Sequence, residues 1–318
     1  TLRTQKSKVM AAIEKINNEI HRKKDNGQET IYLLESDPFY YYNLTNNVLA
    51  TGTLSDTVQG SKYLNPLMGA PFGLWQPYNI LPFLGAGLYK LLHLFNPDMS
   101  VMAAVSFVPI IVSVLVVPAF LWLCAIMGFS PWAGGAGAFI LGLTPVFLQR
   151  SSLGWYDTDP FNVLFPTLLF SLTLKALTAT TRRASLCWGA GYILVLSAYS
   201  LLWHGWGFML VVTLGSIGVT FLWTRFIRKE TSTTPFKTLF LTVLIGTILG
   251  ISLIFGFKQF FILIREGLAA LRDFGSGQLK VWPDLFLAVG ELKRSSFAAL
   301  REGVGIPFLA GSLTGVVL

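Results

Sequence analysis

Four acidic side chains lie in three short segments that also carry apolar or aromatic residues. Asp37 lies within Glu35-Ser-Asp-Pro-Phe-Tyr-Tyr-Tyr-Asn43, Asp157 and Asp159 end the stretch Arg150-Ser-Ser-Leu-Gly-Trp-Tyr-Asp-Thr-Asp159, and Glu291 ends Ala288-Val-Gly-Glu291. A carboxylate at the start of an apolar run is costly unless it is paired or binds a cation. Acids at positions i and i+2 of an extended turn can converge on one hard divalent metal, which suits phosphate leaving groups.

The two Asp-Pro pairs also have a purely structural interpretation. Asp is a common helix N-cap and Pro a common first helical residue, so Asp37-Pro38 and Asp159-Pro160 also suit the starts of two helices. The two roles are compatible, because a capping carboxylate can still bind a metal. Glu291 taken alone suits a solvated loop. The predicted topology favours chemistry, since it places all four acids on one side of a membrane.

The composition indicates a membrane protein. Of the 318 residues, 53% are hydrophobic and 13% are charged, and the mean hydropathy is +0.59. Average soluble proteins contain about 25% charged residues. The net charge of +8 comes from basic residues spread over the loops between apolar runs. Membrane topology explains that distribution, so we expect no nucleic-acid partner.

Apolar runs of the length that a bilayer requires define the domain organisation. They lie at 101–125, 130–149, 161–180, 185–203, 206–224 and 237–257, and a further run begins at residue 306 and continues to the last residue, 318. A chain that stops inside an apolar run is expected to be part of a longer protein. We predict an external first loop over 1–100 with short or interfacial helices, transmembrane helices over 101–257, an external acidic loop near 150–160, an external mobile loop over 258–305 and the start of a further transmembrane helix over 306–318.

The orientation follows from the basic loops at 181–184 and 225–236, which the positive-inside rule places in the cytoplasm. Counting spans from these loops places the acidic loop and residues 1–100 and 258–305 on the outer face. Two smaller patterns accompany the spans. Gly246-Thr-Ile-Leu-Gly250 is typical of helix packing. Asn43-Leu-Thr45 is a glycosylation sequon, but it overlaps the first acidic segment, so we expect it to stay unmodified.

The acidic segments resemble the motifs of the oligosaccharyltransferase catalytic subunit family, of the prokaryotic single-subunit type. The stretch from Ser36 to Thr45 resembles its first acidic motif, the stretch from Arg150 to Asp159 is similar to its DxD-type motif, and Ala288-Val-Gly-Glu291 looks like its third motif. The resemblance covers nearly the whole chain. It implies an all-α polytopic membrane protein with a C-type glycosyltransferase-like transmembrane bundle and external loops. It also implies an active site on the periplasmic or extracytoplasmic face of the cell membrane.

The resemblance implies a reaction and roles for the residues. Such enzymes transfer an oligosaccharide from a lipid-linked phosphate or pyrophosphate carrier to the Asn of an Asn-X-Ser/Thr sequon in a polypeptide. Carried over, Asp37, Asp157 and Asp159 surround Mn²⁺ or Mg²⁺, and Asp37 and Glu291 hold the acceptor amide. Residues assigned to substrate binding are Arg150, Trp155, Tyr156 and His204, although His204 also suits an interfacial aromatic group. The implied partners are the lipid-linked donor, the sequon-containing acceptor and membrane lipids.

Two other functions fit parts of this pattern. A glycosyltransferase that uses a lipid-phosphate sugar but a non-Asn acceptor needs the external acids without an amide-holding Glu291. A transporter is expected to place charges at mid-membrane within its spans. The predicted spans carry almost no charge, which disfavours transport.

Overall fold

The structure, a computed structural model, describes residues 23–25, 28–30, 32–59, 62–66, 71–203, 205–229 and 234–257, together with Phe261 and Arg265. The chain divides into two compact units. The first contains the described residues up to Pro118 and the segment Gln149–Leu164, and the second contains Ala119–Leu148 and the described residues from Phe165 onward. Asp37 and the acidic loop therefore belong to the same unit, although they are far apart in the sequence.

Helices dominate the described part of the chain. They are α1 (Ser36–Thr51), α2 (Leu81–Phe95), α3 (Val101–Ser106), α4 (Val108–Ile126), α5 (Pro131–Leu143), α6 (Pro145–Arg150), α7 (Phe161–Thr178), α8 (Arg182–Ser200), α9 (Trp206–Leu222) and α10 (Thr234–Phe255). A π-helical turn, Trp223–Ile227, follows α9 directly. The predicted all-α polytopic class is confirmed.

Among the described residues, five short strands lie in the N-terminal part, where the sequence predicts only loops and short helices. Strands β1 (Lys23–Asp25) and β2 (Gln28–Thr30) form an antiparallel pair. Strands β3 (Val58–Gln59), β4 (Lys62–Asn65) and β5 (Leu74–Pro77) form a three-stranded antiparallel sheet in that order. The sheet lies between α1 and α2 in the chain, and Tyr63 of β4 is fully buried in the core that those helices share.

The helices agree with most of the predicted spans. Within the described residues, four helical stretches are long and apolar enough to cross a membrane, namely Val101–Ile126, Phe161–Thr178, Trp206–Ile227 and Thr238–Phe255. The predicted run at 130–149 is instead divided into α5 and α6. Thr144 has extended backbone (ψ 125), as expected for a residue that precedes proline, and Pro145 starts the next helix. The run at 185–203 is occupied by α8.

In the second unit, α10 packs closely against α8. A Cβ atom added at Gly246 would collide with the Ile193 side chain, and one at Gly250 would lie 2.6 Å from Ser197 Oγ. Small residues let two helix backbones approach each other in a lipid environment, where apolar burial gives little driving force. The prediction that Gly246-Thr-Ile-Leu-Gly250 mediates helix packing is confirmed.

In the first unit, the start of α1 holds the first acidic segment. The helix begins at Ser36, so Asp37 lies in its first turn, where a negative charge interacts favourably with the helix dipole. The capping residue is Glu35, whose side chain makes no capping hydrogen bond. The interpretation of Asp37 as the N-cap is therefore wrong. The Glu35 backbone (φ 62, ψ 178) occupies a region that is almost exclusive to glycine, so the chain enters this helix under strain.

Candidate active site

The acidic loop, residues 151–160 between α6 and α7, is fixed by the backbone of Gly154. The Gly154 N–H donates to the Ser106 carbonyl at 3.2 Å, and the Gly154 carbonyl accepts from the Leu34 N–H at 3.0 Å. Gly154 has φ +90, and an added Cβ would lie 3.0 Å from the Tyr32 carbonyl oxygen. A glycine is required here for both reasons. The loop is thereby attached to the segment that leads directly into α1.

Tyr156 attaches the same loop to α1 and α2 through its side chain. The ring is fully buried, and its hydroxyl donates to the Leu81 carbonyl at 2.9 Å. The same hydroxyl lies 2.9 Å from Thr45 Oγ1. A Cβ atom at Gly85 would collide with this hydroxyl, so the absence of a side chain at Gly85 leaves the space that the phenol fills. Burial raises the pKa of the Tyr156 hydroxyl, which therefore stays protonated.

One face of α1 is directed toward the acidic loop. Asp37, Tyr41 and Thr45 follow one another at intervals of four residues, which places them on the same side of a helix. Asp37 is exposed, Tyr41 is partly buried and Thr45 is fully buried. The Tyr41 ring packs edge-on against Tyr156 with 6.3 Å between centroids. Burial, followed by the charge of Asp157, raises the pKa of Tyr41, so Tyr41 also remains neutral.

Asp157 is a buried carboxylate near other negative charges. Its Oδ1 accepts from the Thr158 N–H at 2.6 Å and from the Thr158 hydroxyl at 3.3 Å. Burial raises its pKa to about 6, and the nearby charges of Asp159 and Asp37 act in the same direction. The hydrogen bonds from Thr158 oppose that shift without cancelling it. The ionised form is therefore less favourable than in a solvated carboxylate, and a nearby positive charge would favour it.

Asp159 is held differently, by a cation and an indole. Its Oδ2 accepts from Arg150 Nη1 at 2.7 Å and from Trp155 Nε1 at 3.1 Å. The Arg150 guanidinium also lies over the Trp155 ring, 4.8 Å from its centroid. The three side chains thus contact each other pairwise. Both hydrogen bonds involve Oδ2, which leaves Oδ1 of Asp159 as the oxygen that can approach a further cation.

The structure therefore brings several predicted site residues together. Asp37, Arg150, Trp155, Asp157 and Asp159 share one unit, and Asp37 and Asp159 both influence Asp157 electrostatically. Within the described ranges, no group of three or more His, Cys, Asp and Glu side chains is arranged to hold a metal ion. Two further predicted residues, Glu291 and His204, lie outside the described residues.

Sequence reasoning missed three residues that define this site. Tyr41 and Thr45 lie one and two helical turns after Asp37, so helical periodicity could have identified them. Gly85 gave no signal of its own, because its role depends on which side chain the fold places opposite it. Trp155 and Tyr156, predicted to contact substrate, are both buried. Their substrate contacts remain a prediction.

The chemistry of the donor set fits a hard divalent cation. All the acidic donors are carboxylate oxygens, the kind that Mg²⁺ and Mn²⁺ prefer. Asp37 is exposed and offers an approach from solvent, whereas Asp157 is a buried carboxylate whose pKa is raised by burial and by the charges of Asp159 and Asp37.

The fold and the acidic site define a polytopic helical membrane protein with a carboxylate-rich site. The family profile described as oligosaccharyl transferase STT3, N-terminal, matches residues 9–318. The chain belongs to this family and is an integral membrane protein.

Known relatives give the context of this membership. A dolichyl-phosphooligosaccharide-protein glycotransferase of Methanococcus voltae is 24% identical over 196 residues, which are 59% of this chain and 21% of that protein. The chain therefore spans about a fifth of the length of the curated relative it matches.

Solved structures of one archaeal oligosaccharyltransferase, AglB from Archaeoglobus fulgidus, share the fold. The complex with an inhibitory peptide and a dolichol-phosphate has a TM-score of 0.57 at 19% identity, covering 97% of this chain and 36% of that chain. A complex with Zn and sulfate gives a TM-score of 0.55 at 20% identity, covering 97% and 39%. A form tethered to an acceptor peptide with the NVT sequon gives 0.56 at 18% identity, covering 97% and 37%.

Proposed function

We propose that this chain forms the membrane part of an enzyme that transfers an oligosaccharide from a lipid-linked phosphate or pyrophosphate to the Asn of Asn-X-Ser/Thr sequons. The observation that carries the proposal is that two separate acidic motifs meet, because Tyr41, one helical turn after Asp37, packs against Tyr156, which directly precedes Asp157. The names of the relatives support it, since they describe a lipid-phosphate oligosaccharide donor and a protein acceptor. The active site is proposed to face the periplasmic or extracytoplasmic side.

The reaction requires an unusual nucleophile. The bond between sugar C1 and the phosphate oxygen breaks with its electron pair on oxygen, and the amide nitrogen forms the new bond to C1 and loses one proton. An amide nitrogen is a poor nucleophile because its lone pair is delocalised into the carbonyl. Carboxylates that accept both amide N–H groups can twist the amide and free that lone pair. We assign this role to Asp37 and Glu291.

A divalent ion, Mn²⁺ or Mg²⁺, would stabilise the negative charge that develops on the leaving phosphate. Asp37 and Asp157 would hold it, together with Oδ1 of Asp159. Arg150 keeps the acidic loop in place by binding Asp159 Oδ2. Its guanidinium is half exposed, so it also lies within reach of an anionic substrate.

The test is peptide glycosylation by membranes of the organism from which the protein comes. The chromosomal gene in those cells encodes either the wild-type protein or one variant. A fluorescent Asn-X-Thr peptide is offered with Mn²⁺ or with a chelator. We expect a mass shift on Asn that requires metal and disappears in Asp157→Ala and Glu291→Gln. Asp56→Ala is the matched control, because Asp56 is an exposed acid of the same unit outside the site.

Each alternative outcome is informative. A shift that survives Glu291→Gln keeps the enzyme class and removes the amide-holding role of Glu291. The absence of any shift, in membranes confirmed to contain the lipid-linked donor, would instead favour a glycosyltransferase with a non-Asn acceptor. An equal amount of mass-shifted peptide with chelator and with Mn²⁺ would exclude a role for the metal in the reaction.

A further inference from the structure

Tyr156 directly precedes Asp157, and its side chain points away from any solvent-facing surface. The ring is fully buried, and its hydroxyl is bonded inside the protein to Leu81 and Thr45. A phenol that is fully buried and bonded inside the protein presents no free hydrogen-bonding group to a substrate in this conformation. The conformation of Tyr156 therefore matters for the position of the adjacent Asp157 carboxylate.

The hydroxyls of Tyr156 and Thr45 form a short chain between two helices. Thr45 Oγ1 lies 2.8 Å from the Tyr41 carbonyl and 2.9 Å from the Tyr156 hydroxyl, which in turn lies 2.9 Å from the Leu81 carbonyl. Each hydroxyl has one proton, so two protons serve three contacts. The three hydrogen bonds are therefore interdependent. This series of hydrogen bonds runs from α1 to α2 through Tyr156 of the acidic loop.

The shape of α2 makes room for this junction. Because a Cβ at Gly85 would collide with the Tyr156 hydroxyl and lie 2.9 Å from Cζ, the phenol sits in a position that only glycine leaves open. By contrast, a Cβ at Gly87, in the same helix, would meet no atom within 4 Å. The two glycines thus differ in a way that an experiment can use.

We infer that Tyr156 is a positioning residue that, seated over Gly85 and bonded to Thr45, holds Asp157 beside Asp37 so that both carboxylates reach one divalent cation. The inference rests on the proposed function only in the identity of that cation. Tyr156 does not contact the ion. It fixes the backbone of the neighbouring residue against α1, the helix that carries Asp37 in its first turn, and so sets the separation of the two ligands.

The test measures Mn²⁺ binding directly. Mn²⁺ is titrated into the purified full-length protein in detergent, and the EPR signal of the free ion is followed. The rate of peptide glycosylation is measured in parallel at varied Mn²⁺ concentration. Partners that orient a ligand affect metal affinity by about ten- to a hundredfold, so Tyr156→Phe should weaken Mn²⁺ binding about tenfold. Saturating Mn²⁺ should restore most of the glycosylation rate, because the reacting groups are unchanged.

Two matched controls separate positioning from stability. Tyr63→Phe removes the hydroxyl of another fully buried tyrosine in the same unit, which is hydrogen-bonded to Tyr40. It should lower thermal stability comparably and leave Mn²⁺ affinity unchanged. Gly85→Ala should weaken Mn²⁺ binding as Tyr156→Phe does, whereas Gly87→Ala should not. The glycine pair keeps the test decisive if Tyr156→Phe fails to fold.

The outcomes separate this inference from the proposed reaction. Unchanged Mn²⁺ affinity in both Tyr156→Phe and Gly85→Ala overturns the positioning role, even if glycosylation proceeds. Equal weakening by Tyr63→Phe overturns it too, because the effect would then be general destabilisation. Wild-type protein that binds Mn²⁺ with the expected variant pattern, yet modifies no sequon peptide, supports the inference and contradicts the proposed acceptor.

Discussion

The contacts inside the first unit differ in kind from those inside the second. In the first, the buried hydroxyls of Thr45 and Tyr156 contact partners that are distant in sequence. In the second, buried hydroxyls such as Ser171 and Thr173 bond to carbonyls of their own helix, and neighbouring helices meet through small and apolar residues. Polar contacts specify the position of a chemical group, whereas close apolar packing specifies only that two helices touch. The contrast predicts that substitutions in the two units fail in different ways.

The largest effect should come from removing the charge of Asp157. Losing a group that stabilises transition-state charge typically costs about a hundredfold or more in rate, so Asp157→Asn should lose glycosylation by at least that factor. Its metal-free stability should not fall, because the buried charge is itself unfavourable. Thermal unfolding in chelator, beside the glycosylation rate, checks both directions.

The same residue gives a pH dependence with a defined sign. The pKa of Asp157 is raised from 3.8 to about 6, so the folded state binds a proton more readily than the unfolded chain. Metal-free wild type should therefore gain stability relative to Asp157→Asn as the pH falls from 7 through 6 toward 4, by up to about 3 kcal/mol. A constant difference over this range would contradict the buried-charge account.

A loss of stability, without any specific change in metal affinity, should follow a substitution in the second unit. Gly246→Ala places a methyl group against Ile193, and overpacking of this kind costs about 1–3 kcal/mol. Gly215→Ala is the control, since a Cβ there meets no atom within 4 Å. Thermal unfolding and Mn²⁺ binding should separate the pair. A loss of metal affinity at normal stability would break the contrast between the units.

Gly154→Ala should combine both kinds of failure on a smaller scale. Its φ of +90 costs a non-glycine residue about 1–2 kcal/mol, and the added methyl would crowd the Tyr32 carbonyl. Gly52→Ala has a similar backbone strain, with φ +79, but no atom within 4 Å of the added methyl. Both variants should lose stability, and only Gly154→Ala should also weaken Mn²⁺ binding. Equal affinities would show that the backbone attachment at Gly154 does not orient Asp157.

The smallest change in stability is expected at the half-exposed ion pair. Arg150→Lys keeps the charge but loses the planar contact over Trp155, and exposed ion pairs and cation–π contacts contribute about 1 kcal/mol or less. The melting temperature should shift slightly, and the shift should diminish at high salt. A large, salt-independent loss of stability would mean that the pair of Arg150 and Asp159 contributes as much to stability as a buried interaction does.

The sequence predicted the apolar helices well, because length and hydropathy are local properties of a segment. It also found the acids, since a charge among apolar residues is conspicuous. It missed the break at Pro145 and the sheet of β3, β4 and β5. The sheet depends on pairing between segments, and a short strand carries little periodic signal of its own. Gly85 was invisible for a related reason, because its role exists only once Tyr156 is placed against it.

The burial of Thr45 has a consequence for the chain as a target. Asn43-Leu44-Thr45 is a tripeptide of the kind that the proposed enzyme modifies, and Asn43 itself is exposed. The threonine hydroxyl is engaged with Tyr156 and the Tyr41 carbonyl, and the tripeptide is wound into α1. Folding thus withdraws this tripeptide from any enzyme that reads sequons. Only a chain that has not yet folded presents it as an acceptor.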